Sequence, residues 1–190
     1  MRESISLAIR LFIITAISAI VLAFSNQVTS PIIEAKRLAN YQKSLKVAYP
    51  KAESFKAVDP AKLKDLQSKD ENLNDVQEAI QGGKTVGHVY KTTGVGGYSG
   101  NVVFVIGVDN EEKIVGYSIL ETQETPGIGS RIGEPEFVNA VIGKSMKKEI
   151  KAEKKPQADN EIQALSGATY STTAAKNALN VAQKANAGLK

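Results

Sequence analysis

The chain has 190 residues, with 24 Lys and Arg against 20 Asp and Glu, a formal net charge of +4 and no cysteine. This length leaves room for one soluble domain and an anchor. The lack of cysteine excludes disulfides, thiolate-bound iron–sulfur clusters and CxxC redox chemistry, and the single histidine, His88, argues against a histidine metal site. Electron transfer by this sequence would therefore need a cofactor that cysteine does not bind.

The first predicted element is a membrane-spanning helix. Residues 7–24 are overwhelmingly apolar, with Arg10 as the interruption, and the stretch approaches the roughly 20 residues that span a bilayer. A cleaved signal peptide is the alternative, because basic residues flank the start of the apolar run and residues 23–25 resemble a cleavage triplet. Residues 31–45 continue with a helical pattern, so we favour a retained anchor.

A polar stretch separates this helix from a predicted sheet. Residues 50–81 are polar, residues 60–67 predict a short helix, and residues 70–75 offer little to bury, which predicts connecting structure up to residue 81. Later segments rich in β-branched and aromatic residues predict strands at 85–91, 101–108 and 113–121. Residues 109–112 suit a hairpin between the last two strands, so we expect a small antiparallel sheet.

Two glycine-containing loops accompany the predicted strands. Residues 94–100 precede a strand instead of opening a helix, so neither a P-loop nor a Rossmann fingerprint applies. Tyr98 in this loop either stacks on a ring or anchors a hairpin. In residues 124–129, Pro126 and Gly127 occupy the positions that a type II turn favours, and Gly129 allows close approach of the backbone. The alternative for this second loop is an ordinary turn.

The next segments predict a short helix and a charged surface. Residues 135–141 predict a helix with Phe137, Val138 and Val141 turned inward. Residues 144–160 are rich in Lys and Glu, without interleaved aromatic residues or a recognisable nucleic-acid module, so a solvated surface is expected and nucleic-acid binding is not. Strands followed by helices on one side predict an α+β domain.

The last motif, Ser-Gly-Ala-Thr-Tyr-Ser-Thr at 166–172, precedes a predicted amphipathic helix. Its apolar positions recur every three to four residues, at Ala174, Ala175, Ala178, Leu179 and Ala182. Hydroxyl side chains just before the helix fit N-cap positions, where free N–H groups and the helix dipole favour an anion. Gly167 and Ala168 leave room for a phosphate beside Thr169, and simple capping is the alternative.

Three motifs in this order carry a family resemblance. Gly-Tyr-Ser-Gly at 97–100, Glu-Thr-Pro-Gly-Ile-Gly at 124–129 and Ser-Gly-Ala-Thr at 166–169, behind one hydrophobic helix, resemble the G subunit of Rnf ion-translocating oxidoreductase complexes. The chain is also similar, more distantly, to the C subunit of the sodium-pumping NADH:quinone reductase. The resemblance implies an N-terminal transmembrane helix (1–30), a helical or irregular connecting region (31–82) and one small α+β FMN-binding domain (83–190) with an antiparallel sheet and flanking helices.

The resemblance also implies a site. In the family, the last threonine of the final motif carries FMN through a phosphoester, and this threonine is Thr169 here. The other cofactor-binding residues that it implies are Tyr98, Glu124, Thr125, Pro126, Gly127, Ile128, Ser166, Gly167 and Ala168. The family commonly has an aspartate three residues before the motif's serine, where this chain has Gln163.

The implied function is that of an electron-transfer subunit in a membrane-bound ion-translocating ferredoxin:NAD+ oxidoreductase. Its implied partners are the other membrane and redox subunits of that complex and a flavin transferase that attaches the FMN. The N-terminus is expected in the cytoplasm and the FMN domain on the other side of the cell membrane, in keeping with Arg2 and Arg10 at the start of the anchor. The alternative is a membrane-tethered binding or sensory module that holds a phosphate-containing ligand non-covalently.

Overall fold

The computed structural model describes residues 2–189, with the side chains of residues 4–189. Met1 and Lys190, which end the predicted anchor and the predicted FMN-binding domain, lie outside the described residues, as does the side chain of Arg2. The helices are α1 (Arg2–Ala48), α2 (Pro60–Lys69), α3 (Pro135–Val141) and α4 (Thr169–Leu189). The strands are β1 (Ser54–Ala57), β2 (Leu73–Gln81), β3 (Lys84–Gly94), β4 (Val102–Asp109), β5 (Ile114–Glu121), β6 (Lys151–Glu153) and β7 (Glu161–Gln163).

The chain divides into two compact units, residues 1–41 and 42–190. The first unit consists of most of α1, which is long and apolar enough to cross a membrane and has a mean hydropathy of 2.5 in its most apolar window. None of the side chains in that window is buried, so the helix exposes a large continuous apolar surface. These properties fit a membrane-anchored protein, as the apolar run at 7–24 predicts.

The second unit is built on a five-stranded antiparallel sheet in the order β1-β2-β3-β4-β5. The predicted strands at 85–91, 101–108 and 113–121 are confirmed as β3, β4 and β5, and the predicted helices at 60–67 and 135–141 are confirmed as α2 and α3. Antiparallel strands and flanking helices make this an α+β fold, as expected.

The prediction of connecting structure before the sheet is wrong for residues 73–81, which form β2. The buried residues of this strand are Leu73, Val76 and Ala79, which are three positions apart instead of two. One register shift against β3 lies between Leu73 and Asp75, whereas residues 76–79 pair with β3 in regular register, so Val76 and Ala79 face opposite sides of the sheet. Because one irregularity displaces the alternation and both faces of the strand carry a buried residue, the sequence lacks the period of two that marks a strand.

The observed units also differ from the predicted domain limits. Residue 31 lies inside α1, and residues 82 and 83 form the tight turn between β2 and β3. The division into segments 1–30, 31–82 and 83–190 stays a prediction, which limited proteolysis would test.

Helix α4 packs on the sheet and places its first turn beside the loops that follow β3 and β5. The predicted inward positions are confirmed, because Ala174, Ala175, Ala178, Leu179 and Ala182 are all fully buried. The contact with β3 is close because Gly94 lies against α4, where a Cβ would overlap the carbonyl oxygen of Ala174. Small side chains on the helix and a glycine on the strand thus set the position of the last motif.

Two short strands were not predicted, β6 within the charged segment and β7 just after it. They pair in parallel, with Lys151 opposite Glu161, and β7 leads directly into the last motif. Asn180 of α4 holds this region through its side chain, which accepts from the Ile150 N–H at 2.7 Å and donates to the Ile150 carbonyl at 3.0 Å. The charged segment is therefore tied to the helix that carries the motif.

Candidate cofactor-binding site

A cavity of about 420 Å³ lies where the three sequence motifs meet. It is lined by Tyr98, Glu124, Thr125, Ile128, Gly129, Gly167, Ala168, Thr169, Tyr170 and Ser171. Seven of the predicted site residues are therefore brought together. Ser166, Pro126 and Gly127 belong to the same turns but do not line this cavity.

The last motif forms the start of α4, with Thr169 as its first residue. The carbonyl of Ala168 accepts the first helical hydrogen bond, from the Thr172 N–H at 2.9 Å, so Ala168 occupies the N-cap position. The expectation that a hydroxyl residue caps this helix is therefore wrong. Alanine has no side-chain acceptor, so the N–H groups of the first turn lack the usual capping partner and are suited to an anion.

The threonine hydroxyls of this turn differ in their availability. The Thr172 hydroxyl is buried, accepts from the Leu165 N–H and donates to the Ala168 carbonyl. The Thr173 hydroxyl donates to the Thr169 carbonyl at 2.9 Å. Thr169 is exposed, and within residues 2–189 its own hydroxyl makes no hydrogen bond. It is therefore the threonine of this turn whose oxygen is free to form a new bond.

The turn at 124–129 has the predicted geometry. Gly127 has φ of +75°, and the Ile128 N–H donates to the Thr125 carbonyl at 3.2 Å across Pro126 and Gly127. These are the features of a type II turn with proline and glycine at its centre. The turn exposes Ile128 at the cavity and leads into a short 3₁₀ helix, Gly129–Gly133.

Glu124 joins the three motifs. Its side chain is 6% exposed, and its two oxygens accept from the Ser99 N–H at 3.2 Å and from the Ser171 hydroxyl at 2.7 Å. Gly97 and Gly129 lie on either side of the carboxylate, where a Cβ on either glycine would overlap it. The absence of side chains at these two positions therefore gives the carboxylate its space.

Two tyrosines form an aromatic pair at the cavity. The rings of Tyr98 and Tyr170 have centroids 6.3 Å apart and planes inclined by 49°, and the two residues are 74% and 64% exposed. Sequence reasoning named Tyr98 but missed Tyr170, Ser171 and Gly129 as lining residues. All three could have been predicted from their positions in the sequence, because each lies within one of the last two motifs and next to or close to a residue that was named.

A second cavity, of about 370 Å³, lies on the other side of Thr169. It is lined by Glu149, Ile150, Lys151, Ala152, Ala164, Thr169, Thr172, Thr173 and Lys176. Thr169 thus borders an aromatic cavity on one side and a cavity with two lysines on the other. The first has the apolar lining, the few polar groups and the volume that are typical of ligand sites.

Titratable groups with shifted pKa values lie elsewhere. Burial lowers the pKa of His88, which is half-buried on β3, and burial raises the pKa values of Tyr90 and Tyr117 in the core. Across residues 4–189, no group of three or more His, Asp or Glu residues is placed to hold a metal ion. The distinctive features of the site are thus a free hydroxyl, an uncapped helix start and paired aromatic rings.

The class of protein follows from a family model, that of the FMN-binding domain, which matches residues 97–184 and so includes every residue that lines the cavity. Across 182 residues the chain is 31% identical to the G subunit of the Na(+)-translocating ferredoxin:NAD(+) oxidoreductase complex of Acetobacterium woodii, covering 92% of this chain and 87% of that protein. It is 27% identical over 158 residues to the G subunit of the proton-translocating complex of Clostridium ljungdahlii, covering 83% and 78%. The chain belongs to the family of G subunits of ion-translocating ferredoxin:NAD+ oxidoreductase (Rnf) complexes.

A solved structure agrees on the fold. The crystal structure of Shewanella oneidensis NqrC matches with a TM-score of 0.50 and 22% sequence identity, covering 60% of each chain. At this identity the likeness concerns the fold alone, and it is the relationship that the more distant resemblance to the sodium-pumping NADH:quinone reductase predicts.

Proposed function

We propose that this chain carries one FMN, covalently bound through a phosphoester to Thr169, and serves as an electron-carrier subunit of a membrane-bound ion-translocating ferredoxin:NAD+ oxidoreductase. The observation that carries the proposal is the exposed Thr169 hydroxyl at the uncapped start of α4, beside a cavity with paired tyrosines. A bound FMN would supply the electron-accepting and electron-donating chemistry, and the protein would supply position and electrostatics.

The described residues fit the parts of FMN. The phosphate would be held by the Thr169 oxygen and by the N–H groups of the first turn of α4, where the helix dipole favours negative charge. The flat ring would be held by Tyr98, Tyr170 and Ile128, since exposed aromatic faces stack on flat rings. Gly167 (φ +80°) turns the backbone just before the helix. Glu124 fixes the three loops against one another.

The proposal includes partners and a location. A flavin transferase would form the ester, as the family resemblance implies, and the other Rnf subunits would exchange electrons with the carrier. The apolar helix would anchor the chain in the cell membrane with its N-terminus in the cytoplasm and the FMN domain on the extracytoplasmic side. The names of the relatives, which are subunits of such complexes, support this placement within a multi-subunit assembly.

The covalent link is tested by replacing Thr169. The full chain is produced together with a flavin transferase and run on a denaturing gel, where covalently bound flavin remains fluorescent. We expect Thr169→Val, which keeps the shape but loses the hydroxyl, to abolish the fluorescent band. The matched control Thr173→Val lies one turn along the same helix and should keep the band.

Mass spectrometry separates this proposal from its alternative. A mass excess of one FMN less one water on the wild-type chain supports the ester. A flavin that co-purifies but is lost on denaturation would favour a module that holds a phosphate-containing ligand reversibly. An undiminished fluorescent band in Thr169→Val would contradict the assignment of the attachment residue.

The proposed orientation has a direct test, since the chain has no native cysteine. A Lys155→Cys variant places one thiol on an exposed part of the charged segment. We expect a membrane-impermeant maleimide to label it in intact cells. Labelling only after the cells are permeabilised would place the domain in the cytoplasm instead.

A further inference from the structure

The Glu124 carboxylate is the one buried carboxylate side chain among residues 4–189, and it lies in the wall of the cavity described above. We propose that Glu124 is a positioning residue for the bound FMN, which ties together the three loops around the cavity and keeps the reduction potential of the flavin low through its negative charge. This inference rests on the proposed function of the site.

The tying role follows from the hydrogen bonds of Glu124. One oxygen accepts from the backbone of the loop at 94–100, at Ser99, and the other accepts from the first turn of α4, at Ser171. The backbone N–H of Glu124 itself donates to the Thr122 hydroxyl at 3.1 Å, which fixes the start of its own loop. One side chain thus connects three segments that are distant in sequence, and Ser171 is two residues from the attachment threonine.

The glycines around the carboxylate show how closely the loops approach it. A Cβ on Gly97 would lie 2.6 Å from Oε1 of Glu124, and a Cβ on Gly129 would lie 2.7 Å from the Ser171 oxygen and would overlap Oε2. Backbone therefore approaches the carboxylate on two sides, and water is excluded from most of its surface. A charge in such surroundings is poorly screened and acts strongly on neighbouring groups.

The charge of Glu124 is not neutralised by an ion pair within residues 4–189, where the ion pairs all involve other residues. Reduction of FMN to its anionic hydroquinone takes up two electrons and one proton, so the ring gains one negative charge. A buried carboxylate in the wall of the same cavity repels that added charge. It therefore makes reduction less favourable and lowers the midpoint potential.

Glutamine is the informative replacement, because it separates the charge from the contacts. Its amide oxygen can accept from the Ser99 N–H, and its amide nitrogen can donate to the Ser171 oxygen, so both contacts are retained while the charge is lost. Alanine removes the charge and both contacts. Glu121→Gln is the matched control, since it removes an equal charge from an exposed position three residues earlier.

The experiment uses the full chain in detergent, loaded by a flavin transferase, with flavin content measured by mass spectrometry and midpoint potential by spectroscopic titration with dithionite. We expect Glu124→Gln to keep its flavin content and to shift the midpoint potential to more positive values. We expect Glu121→Gln to match the wild type, and Glu124→Ala to lose most of its flavin because the loops are no longer tied.

A further variant keeps the inference testable if the Glu124→Gln protein folds poorly. Ser171→Ala breaks one contact but keeps the charge, so it should lower the flavin content without a positive shift of the midpoint potential. If Glu124→Gln has the wild-type potential, or if Ser171→Ala shows the positive shift, the inference is overturned while the covalent FMN stands. A wild-type chain without FMN would overturn both the proposed function and this inference.

Discussion

Two buried tyrosines of the core allow a test in which similar substitutions should have opposite effects. The Tyr90 hydroxyl donates to Oδ1 of Asn186 at 2.8 Å, and both residues are buried. The Tyr117 hydroxyl is also buried but makes no hydrogen bond within residues 4–189. Each is replaced by phenylalanine, which keeps the ring and removes one oxygen.

The magnitudes follow from the hydrogen bonds. Tyr90→Phe strands the Asn186 oxygen, and the Asn186 amide nitrogen already lacks a partner among the described residues, so the loss should be about 1–3 kcal/mol in the free energy of unfolding. Tyr117→Phe removes a buried hydroxyl without a partner, and it should stabilise the fold by about 1 kcal/mol. For a unit of this size, each 1 kcal/mol shifts the unfolding midpoint by about 2–4 °C.

The assay is thermal unfolding of the full chain in detergent, followed by near-ultraviolet circular dichroism. The sequence has 6 tyrosines and no tryptophan, so this signal reports on the tyrosine environments. Tyr98→Phe is the matched control, because its ring is 74% exposed and the change should stay within about 0.5 kcal/mol. If Tyr117→Phe lowers the midpoint as much as Tyr90→Phe does, the reasoning from hydrogen-bond partners is refuted.

Two further outcomes concern the site and the pH dependence. Gly129→Ala should lower both the flavin content and the unfolding midpoint, because its Cβ would overlap the Glu124 carboxylate. Gly133→Ala is the control with a smaller expected loss, because its Cβ meets only the flexible end of an isoleucine side chain. Equal losses of flavin content and unfolding midpoint in the two variants would contradict this prediction. Burial lowers the pKa of His88 below its ordinary value of 6.5, so the unfolded chain binds a proton first and the free energy of unfolding falls as the pH drops below 6.5. His88→Gln should reduce this loss in denaturant titrations across that range, and an unchanged pH dependence would argue against it.

The sequence predicted most of the fold where one physical signal dominated. The apolar face of α4, the three β-branched strands and the run at 7–24 all matched the structure because burial or bilayer contact determines those residues almost alone. Strand β2 was missed because a register shift interrupts its alternation and its buried residues lie on both faces, and β6 and β7 were missed because their charged side chains carry no apolar pattern. Local irregularity and charge thus conceal strands that tertiary pairing stabilises.

The site was predictable in outline but not in its internal connections. The motifs predicted which loops meet, whereas the contact from Glu124 to Ser171 joins residues 47 positions apart and depends on where α4 docks. The N-cap was also misassigned, because hydroxyl residues both precede and follow Ala168, and the sequence does not tell which residue begins the helix.

Thr169 is the first residue of a helix whose remainder packs in the core. This position limits how far a group attached to Thr169 could move away from the domain. Threonine carries two heavy atoms on Cβ, which restricts rotation about its first side-chain bond. A group esterified there would be joined to the packed helix through a short and stiff side chain, unlike cargo on a long flexible side chain. Electrons would then reach a neighbouring protein only when the whole domain comes near it, so the rate of exchange would depend on docking instead of on the swing of a tether.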